Sequence, residues 1–233
     1  MPAAKARPLA HASIASMTVG EVADGGRGAE REKAMLENTH ERWGSVQIGL
    51  HWTIAALILL VQVPAGLAMV SVDPGALQNF LYNVHKNVGL IVFLLACFRL
   101  AWRWRHPVPY LPADLPHWQA VAARTTHALL YALLFLLPIT GYLYTALGGF
   151  PVPFLMIWDI GKLLPTNKPV AEVFETIHVG LTFVLYLVAA LHVAGALQHY
   201  LVRKDGVLQR MLSSRAPLPA NGMRAGAAVR APR

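Results

Sequence analysis

The chain of 233 residues holds a single cysteine, Cys97, and that scarcity removes several kinds of chemistry. One thiol cannot build an intrachain disulfide framework, an iron–sulfur cluster or the Cys-x-x-Cys-His pattern of covalent haem attachment. A structural zinc site with cysteines at short spacing is excluded with them. Cys97 lies inside an apolar run and reads as a small buried hydrophobe. Charge is also scarce: Asp, Glu, Lys and Arg make up 14% of the residues, while 55% are hydrophobic. Glycine-rich phosphate loops, His-Glu-x-x-His helices and Ser-His-Asp signatures are missing. No internal repeat of fixed period stands out.

What remains is dominated by four long apolar runs, at residues 46–70, 84–101, 123–146 and 175–200. Each is long enough to cross a hydrocarbon core of about 30 Å as a helix. A spanning segment must satisfy its own backbone hydrogen bonds, and the period-two alternation of a barrel strand is missing, so the expected fold is all-α, an integral membrane four-helix bundle. Pro64 and Pro138 are expected to disturb the helices that contain them. Residues 1–40 are rich in Ala, Gly and charge and lack the apolar core of a secretory signal; they are expected to be disordered, with His11 and His40 solvated. Residues 41–204 form the membrane domain, and residues 205–233 a solvated basic tail.

Orientation follows from the basic residues. Seventeen Lys and Arg fall on one side of the four crossings, including Arg42, Arg99, Arg103, Arg105 and Arg124, against Lys86, Lys162 and Lys168 on the other. Both termini are therefore expected in the cytoplasm. The net charge of +8 reads as topology and contact with anionic lipid, with no nucleic-acid partner.

Histidines supply the unusual feature. His178 and His192 share the fourth run, and His51, His85 and His127 open the other three. Ionisable groups inside spans face a bundle interior and mark function. Fourteen helical steps return to within about 40° of the starting direction and rise about 21 Å, so one helix presents two imidazoles on one face at two depths. Sorted by depth, His51 and His192 lie toward the cytoplasm, and His85 and His178 toward the outer face. Two axial imidazoles on one iron need nitrogens about 4 Å apart, a spacing that adjacent helices provide. The expectation is two haems, His51 with His192 and His85 with His178. Single membrane histidines also serve as helix linkers, but two layers on one shared face are not explained that way. His127 competes for the inner iron or sits at a haem edge or quinone site. His199 is placed at the membrane boundary in water, and His106 and His117 in solvated loop.

The stretches RWGSVQIGLHW, LYNVHKNVGLIVFLLACFRLAWR, THALLYALLFLLPITGYLYT and IHVG through ALHVAGALQHYLVRKDGVLQRML resemble the bacterial cytochrome b561 family over about residues 41–212. The resemblance implies a four-helix bundle with two non-covalent b-type haems, a place in the bacterial inner membrane, ubiquinone as a redox partner and, in some members, superoxide oxidation at the outer face. By motif it implies His51, His85, His178 and His192 as ligands. Propionates need cationic partners, for which Lys86 at the outer haem and Arg42, Arg99, Arg103 and Arg124 at the inner level are candidates. Gly89, Gly180 and Gly195 are placed where a macrocycle or a neighbouring helix approaches. Trp43, Trp52, Trp102, Trp104 and Trp158 are read as interfacial belts. Lys162 and Lys168 suit a small anion, although Asp73, Asp159, Glu172 and Glu175 share their side.

The function expected is electron transfer between a periplasmic-side donor and the quinone pool. Two alternatives stand beside it: an anchor subunit of a dehydrogenase or hydrogenase, and a transporter using histidines for protons or a metal. The donor, the direction of flow and whether the chain forms a homodimer are not written in the residues.

Overall fold

The computed structural model describes residues 35–155 and 157–215. Four helices in it are long and apolar enough to cross a membrane: α1 (Ser45–Met69), α2 (Ala76–Arg105), α3 (His117–Leu147) and α4 (Lys168–Arg203). A short helix, α5 (Gln209–Leu212), follows. The spans are those expected, but α2 and α4 outrun their apolar runs by several residues at both ends, and α3 does so at its start. Helix geometry continues for as long as the backbone ladder can, so the boundaries are set by capping and proline and not by hydropathy. Gly75 precedes α2, Pro107 follows it and Pro116 starts α3. The Asn167 side chain accepts from the Val170 N–H at the head of α4, 3.3 Å away. At about 1.5 Å per residue, α2 is roughly 45 Å long and emerges from the hydrocarbon.

Pro64 acts in a specific way. It has no N–H to give and its ring excludes the carbonyl four residues back. The ladder answers by widening: Leu57–Gln62 is a π-helical turn, and the Val63 N–H reaches back five residues to the Ile58 carbonyl. α3 instead runs through Pro138 as one helix.

The most extensive packing is between α3 and α4, followed by the pairings of α1 with α2 and α2 with α3. Ala96, Leu133, Ala146 and Val188 are buried along these seams, while Leu60, Phe183 and Leu187 stand exposed on the outside. In water that exterior would aggregate; against acyl chains it is the solvated surface.

Each end carries a cap. At the far end, the α3–α4 link forms a small hairpin, β1 (Pro153–Phe154) antiparallel to β2 (Trp158–Asp159). Asp159 Oδ1 accepts from the Val152 N–H at 2.8 Å and the Gly161 N–H at 3.1 Å. The hairpin docks on α2, where Lys86 Nζ donates to the Pro151 carbonyl (2.9 Å) and Asn87 Oδ1 accepts from the Leu155 N–H (2.7 Å).

At the terminal end, the segments before α1, after α2 and after α4 close on each other. Arg210, buried to 4% exposure, donates to the carbonyls of Glu41 (3.3 Å) and Tyr110 (3.2 Å). Arg203 pairs with Asp114 and Asp205, and Trp52 Nε1 donates to the Met211 carbonyl at 2.6 Å. The first part of the basic tail is thus packed rather than solvated, because its arginine finds main-chain acceptors. His40, exposed as expected, also stacks on Tyr110 with centroids 4.9 Å apart. Residues 1–34 and 216–233, on which the remaining expectations for extension and tail fall, lie outside the described residues.

Candidate functional site

The far level is built by α2 and α4. Their His85 and His178 rings face each other edge-on, with centroids 6.4 Å apart. The His178 ring is oriented from behind: its Nδ1 lies 3.0 Å from the Leu137 carbonyl and 3.2 Å from Thr140 Oγ1. A carbonyl only accepts, so Nδ1 carries the proton, and the Nε2 lone pair is left for another partner. Gly141 permits this approach, since a Cβ there would lie 2.9 Å from the His178 ring. Gly66, one turn past the π-helical segment of α1, faces His85, where a Cβ would stand at an ordinary contact distance of 3.4 Å. The buried His85 Nδ1 faces the Gln62 backbone without closing a hydrogen bond.

The terminal level gathers three helices besides α4. His51 of α1 and His192 of α4 have ring centroids 6.0 Å apart. His127 of α3 comes closer to His192, at 5.2 Å. Arg99 of α2 donates from Nη1 to His51 Nδ1 (2.9 Å) and from Nε to the Tyr131 hydroxyl (3.1 Å). Arg103 lies over Tyr131 and over Trp43, 5.9 Å from each ring centre. Because His51 Nδ1 accepts from Arg99, the neutral ring holds its proton on Nε2. A metal at Nε2 would require that proton on Nδ1, so Arg99 would release His51 while Tyr131 still held its Nε. One turn before His51, the Gln47 side chain is fully enclosed and both its amide atoms are without partners.

What the pairs can hold follows from distance. Two iron–nitrogen bonds of about 2.0 Å, extended by the two ring radii, put the centroids of axial imidazoles a little over about 6 Å apart. Both His51–His192 and His85–His178 meet that separation. The 5.2 Å between His127 and His192 is too short for both to flank one iron, so the spacing favours His51 as the partner of His192. Among the described residues, no three or more His, Cys, Asp or Glu converge as a metal-binding group. The fit is therefore to a flat complex gripped from two sides.

Other expected residues fall elsewhere. Lys86 turns to the Pro151 carbonyl. A Cβ at Gly89 would meet Gln62 at 3.0 Å, whereas at Gly180 and Gly195 it would meet nothing within 4 Å; of the three glycines proposed as close-approach points, only Gly89 is one. His199 is satisfied not by water but by Asp205, 2.6 Å away. His106, expected in solvated loop, stacks on Trp102 at 4.1 Å and faces Glu37, because the segment before α1 covers it. His117 is exposed as expected. Trp104 and Trp158 are exposed, while Trp52 and Trp43 are engaged with the terminal cap and Arg103.

Sequence reasoning passed over Gly66, Gly141, Thr140, Tyr131 and Gln47. Only Gln47 left a signal, a polar residue four places before His51 on the same helical face. The others depend on how the helices are rotated against each other.

A family model described as prokaryotic cytochrome b561 matches residues 42–214. Cytochrome b561 homolog 2 of Escherichia coli (strain K12) is 30% identical over 177 residues, covering 75% of this chain and 93% of the relative. Cytochrome b561 homolog 1 of the same organism is 28% identical over 176 residues, 75% and 98% of the two chains. A protein of Yersinia pestis named probable superoxide oxidase CybB is 25% identical over 178 residues, 74% and 97% of the two chains.

Proposed function

The chain belongs to the prokaryotic cytochrome b561 family, a family of haem-binding membrane cytochromes, and on that footing we propose that it is a transmembrane di-haem protein carrying electrons between a periplasmic-side donor and the quinone pool. In this reading His85 and His178 hold the outer haem, and His51 and His192 the inner one, both without covalent attachment. The termini face the cytoplasm, as the distribution of lysine and arginine indicates. One observation carries the reading: α4 presents two imidazoles on one face, and each meets a partner from another helix at the separation that axial ligation of iron demands.

Haem iron, alternating between ferric and ferrous, supplies a one-electron carrier at each level. The chain's own residues do the rest. Leu137 and Thr140 fix the His178 tautomer, Gly141 lets that ring sit close to its supporting helix, and Tyr131 tethers Arg99. The name of the Yersinia relative supports superoxide as a donor, and the lysines Lys162 and Lys168 of the outer loop suit a small anion. Ubiquinone as acceptor rests on the family resemblance, and His127, beside His192 and outside both pairs, is the residue placed to meet it.

The full chain, purified from a membrane fraction, is expected to be red, with a sharp reduced-minus-oxidised visible band and two haems per polypeptide. His178→Ala and His192→Ala are each expected to remove one haem, and reduced protein to be reoxidised by a soluble ubiquinone analogue. A colourless protein, or full haem content after all four histidines are replaced, overturns the reading. Copurification of a soluble dehydrogenase would favour the anchor-subunit alternative.

A further inference from the structure

The two levels are not electrostatically alike, and the asymmetry lies in what stands behind each imidazole pair. At the outer level, His178 gives its Nδ1 proton to a main-chain carbonyl, Leu137, with the Thr140 hydroxyl beside it. A histidine donating to an acceptor becomes a more electron-rich ligand, which favours ferric over ferrous iron. The cation at that level, Lys86, also reaches His85 electrostatically, but it is tied to the Pro151 carbonyl and its charge is offset by Asp159, an offset that Arg99 lacks. At the inner level, the groups behind the imidazoles are cations. Arg99 touches His51 at 2.9 Å and lies within electrostatic reach of His192 and His127 as well. Arg103 shares Tyr131 with it. No described hydrogen bond or ion pair joins Arg99 to a carboxylate; its partners are His51 and the Tyr131 hydroxyl.

Were His51 to hold a haem through Nε2, its proton would sit on Nδ1 and the Arg99–His51 bond would end, but the charge would remain. Tyr131 still accepts from Arg99 Nε, so the guanidinium remains in the pocket and can turn its free nitrogens to a propionate or to another acceptor. A permanent cation held in a low-dielectric site stabilises the form of lower positive charge, which is the ferrous one.

Resting on the di-haem reading above, we propose that Arg99 is a positioning and tuning residue that sets the inner haem at a higher midpoint potential than the outer. A single electron shared by the two levels then resides at the inner one, the inner iron being reduced as the outer is oxidised. Transfer across the membrane is thereby biased from the outer face to the cytoplasmic face.

The test is an optical redox titration of the full-length wild type, R99Q, R99K and T140V. Wild type is expected to titrate in two steps. In R99Q the step at higher potential moves down while the other stays, and R99K keeps most of the wild-type value because it keeps the charge. T140V, which removes an acceptor behind His178, is expected to move only the lower step, upward, and so identifies it as the outer haem. Absence of haem from the wild type would sink the di-haem reading itself. Haem present, but with both steps unmoved in R99Q, with R99K shifted as far as R99Q, or with the lower step moved by R99Q, overturns the tuning role alone. Should R99Q bind less haem, the same comparison is read on its haem-loaded fraction and on Y131F, which loosens the tether and is expected to lower the upper step by a smaller amount; an unmoved upper step in both overturns the tuning role.

Discussion

A glycine is informative only when something presses on it, and Gly141 is the clearest instance. A methyl group there would lie 2.9 Å from the His178 ring, inside contact distance and against a ring held by two further contacts. Gly141→Ala is expected to introduce roughly 1–3 kcal/mol of strain, displace the ring and lower haem content toward one per chain. Gly180→Ala, two residues beyond the same histidine but facing open space, is expected to leave the spectrum unchanged; equal behaviour of the two variants would refute the role given to Gly141. The histidines were legible in the sequence because an imidazole within an apolar run is costly wherever it points. The glycines were not, because their meaning depends on the rotation of α3 against α4, which no local pattern encodes. Arg99 lay between these cases. Its charge was visible, but its choice of His51 and Tyr131 over lipid headgroups was not.

The elements carry their own consequences. The π-helical turn of α1 exists because Pro64 withholds a donor, and its widened register sets where Gly66 meets His85. Pro64→Ala restores the missing N–H and is expected to close the turn into ordinary α-helix, shifting Gly66 and selectively weakening the haem absorbance that His178→Ala also removes. An unaltered spectrum would show that the register is held by packing alone. The junction after α4 is set by charge. Burial pushes the Asp205 carboxyl up, but hydrogen bonds from His199, Arg203 and the Val207 N–H outweigh it, leaving the group below its ordinary range. A carboxylate depressed in the fold stabilises it above the unfolded value, about 3.9, and that contribution fades as pH falls through the lower folded value. Asp205→Asn is therefore expected to expose the chain near Arg203 and Lys204 to trypsin at neutral pH, where the wild type resists. Equal cleavage rates would contradict this.

At the scale of the molecule, the four spans and their order could be read directly, because hydrocarbon tolerates no ambiguity about backbone hydrogen bonds. The two caps could not. Residues 36–44, 106–115 and 203–212 look like polar loop and tail, and only their meeting, through Arg210, His40 with Tyr110 and Trp52 with Met211, makes them one structure. The distribution of lysine and arginine predicts that this cap is cytoplasmic. On a Cys97→Ser background, a cysteine placed at exposed Ser213 is expected to resist an impermeant maleimide added to intact cells and to react in inverted vesicles; labelling in intact cells would reverse the orientation.

Arg210 holds main-chain oxygens from residues 41 and 110, so the part of the described chain made nearly last clasps parts made long before. A nascent polypeptide can thread all its spans into the bilayer and still lack this fastening until synthesis has passed the fourth crossing. The end of the bundle that this cap closes is therefore fastened only once the chain beyond the fourth crossing has been made.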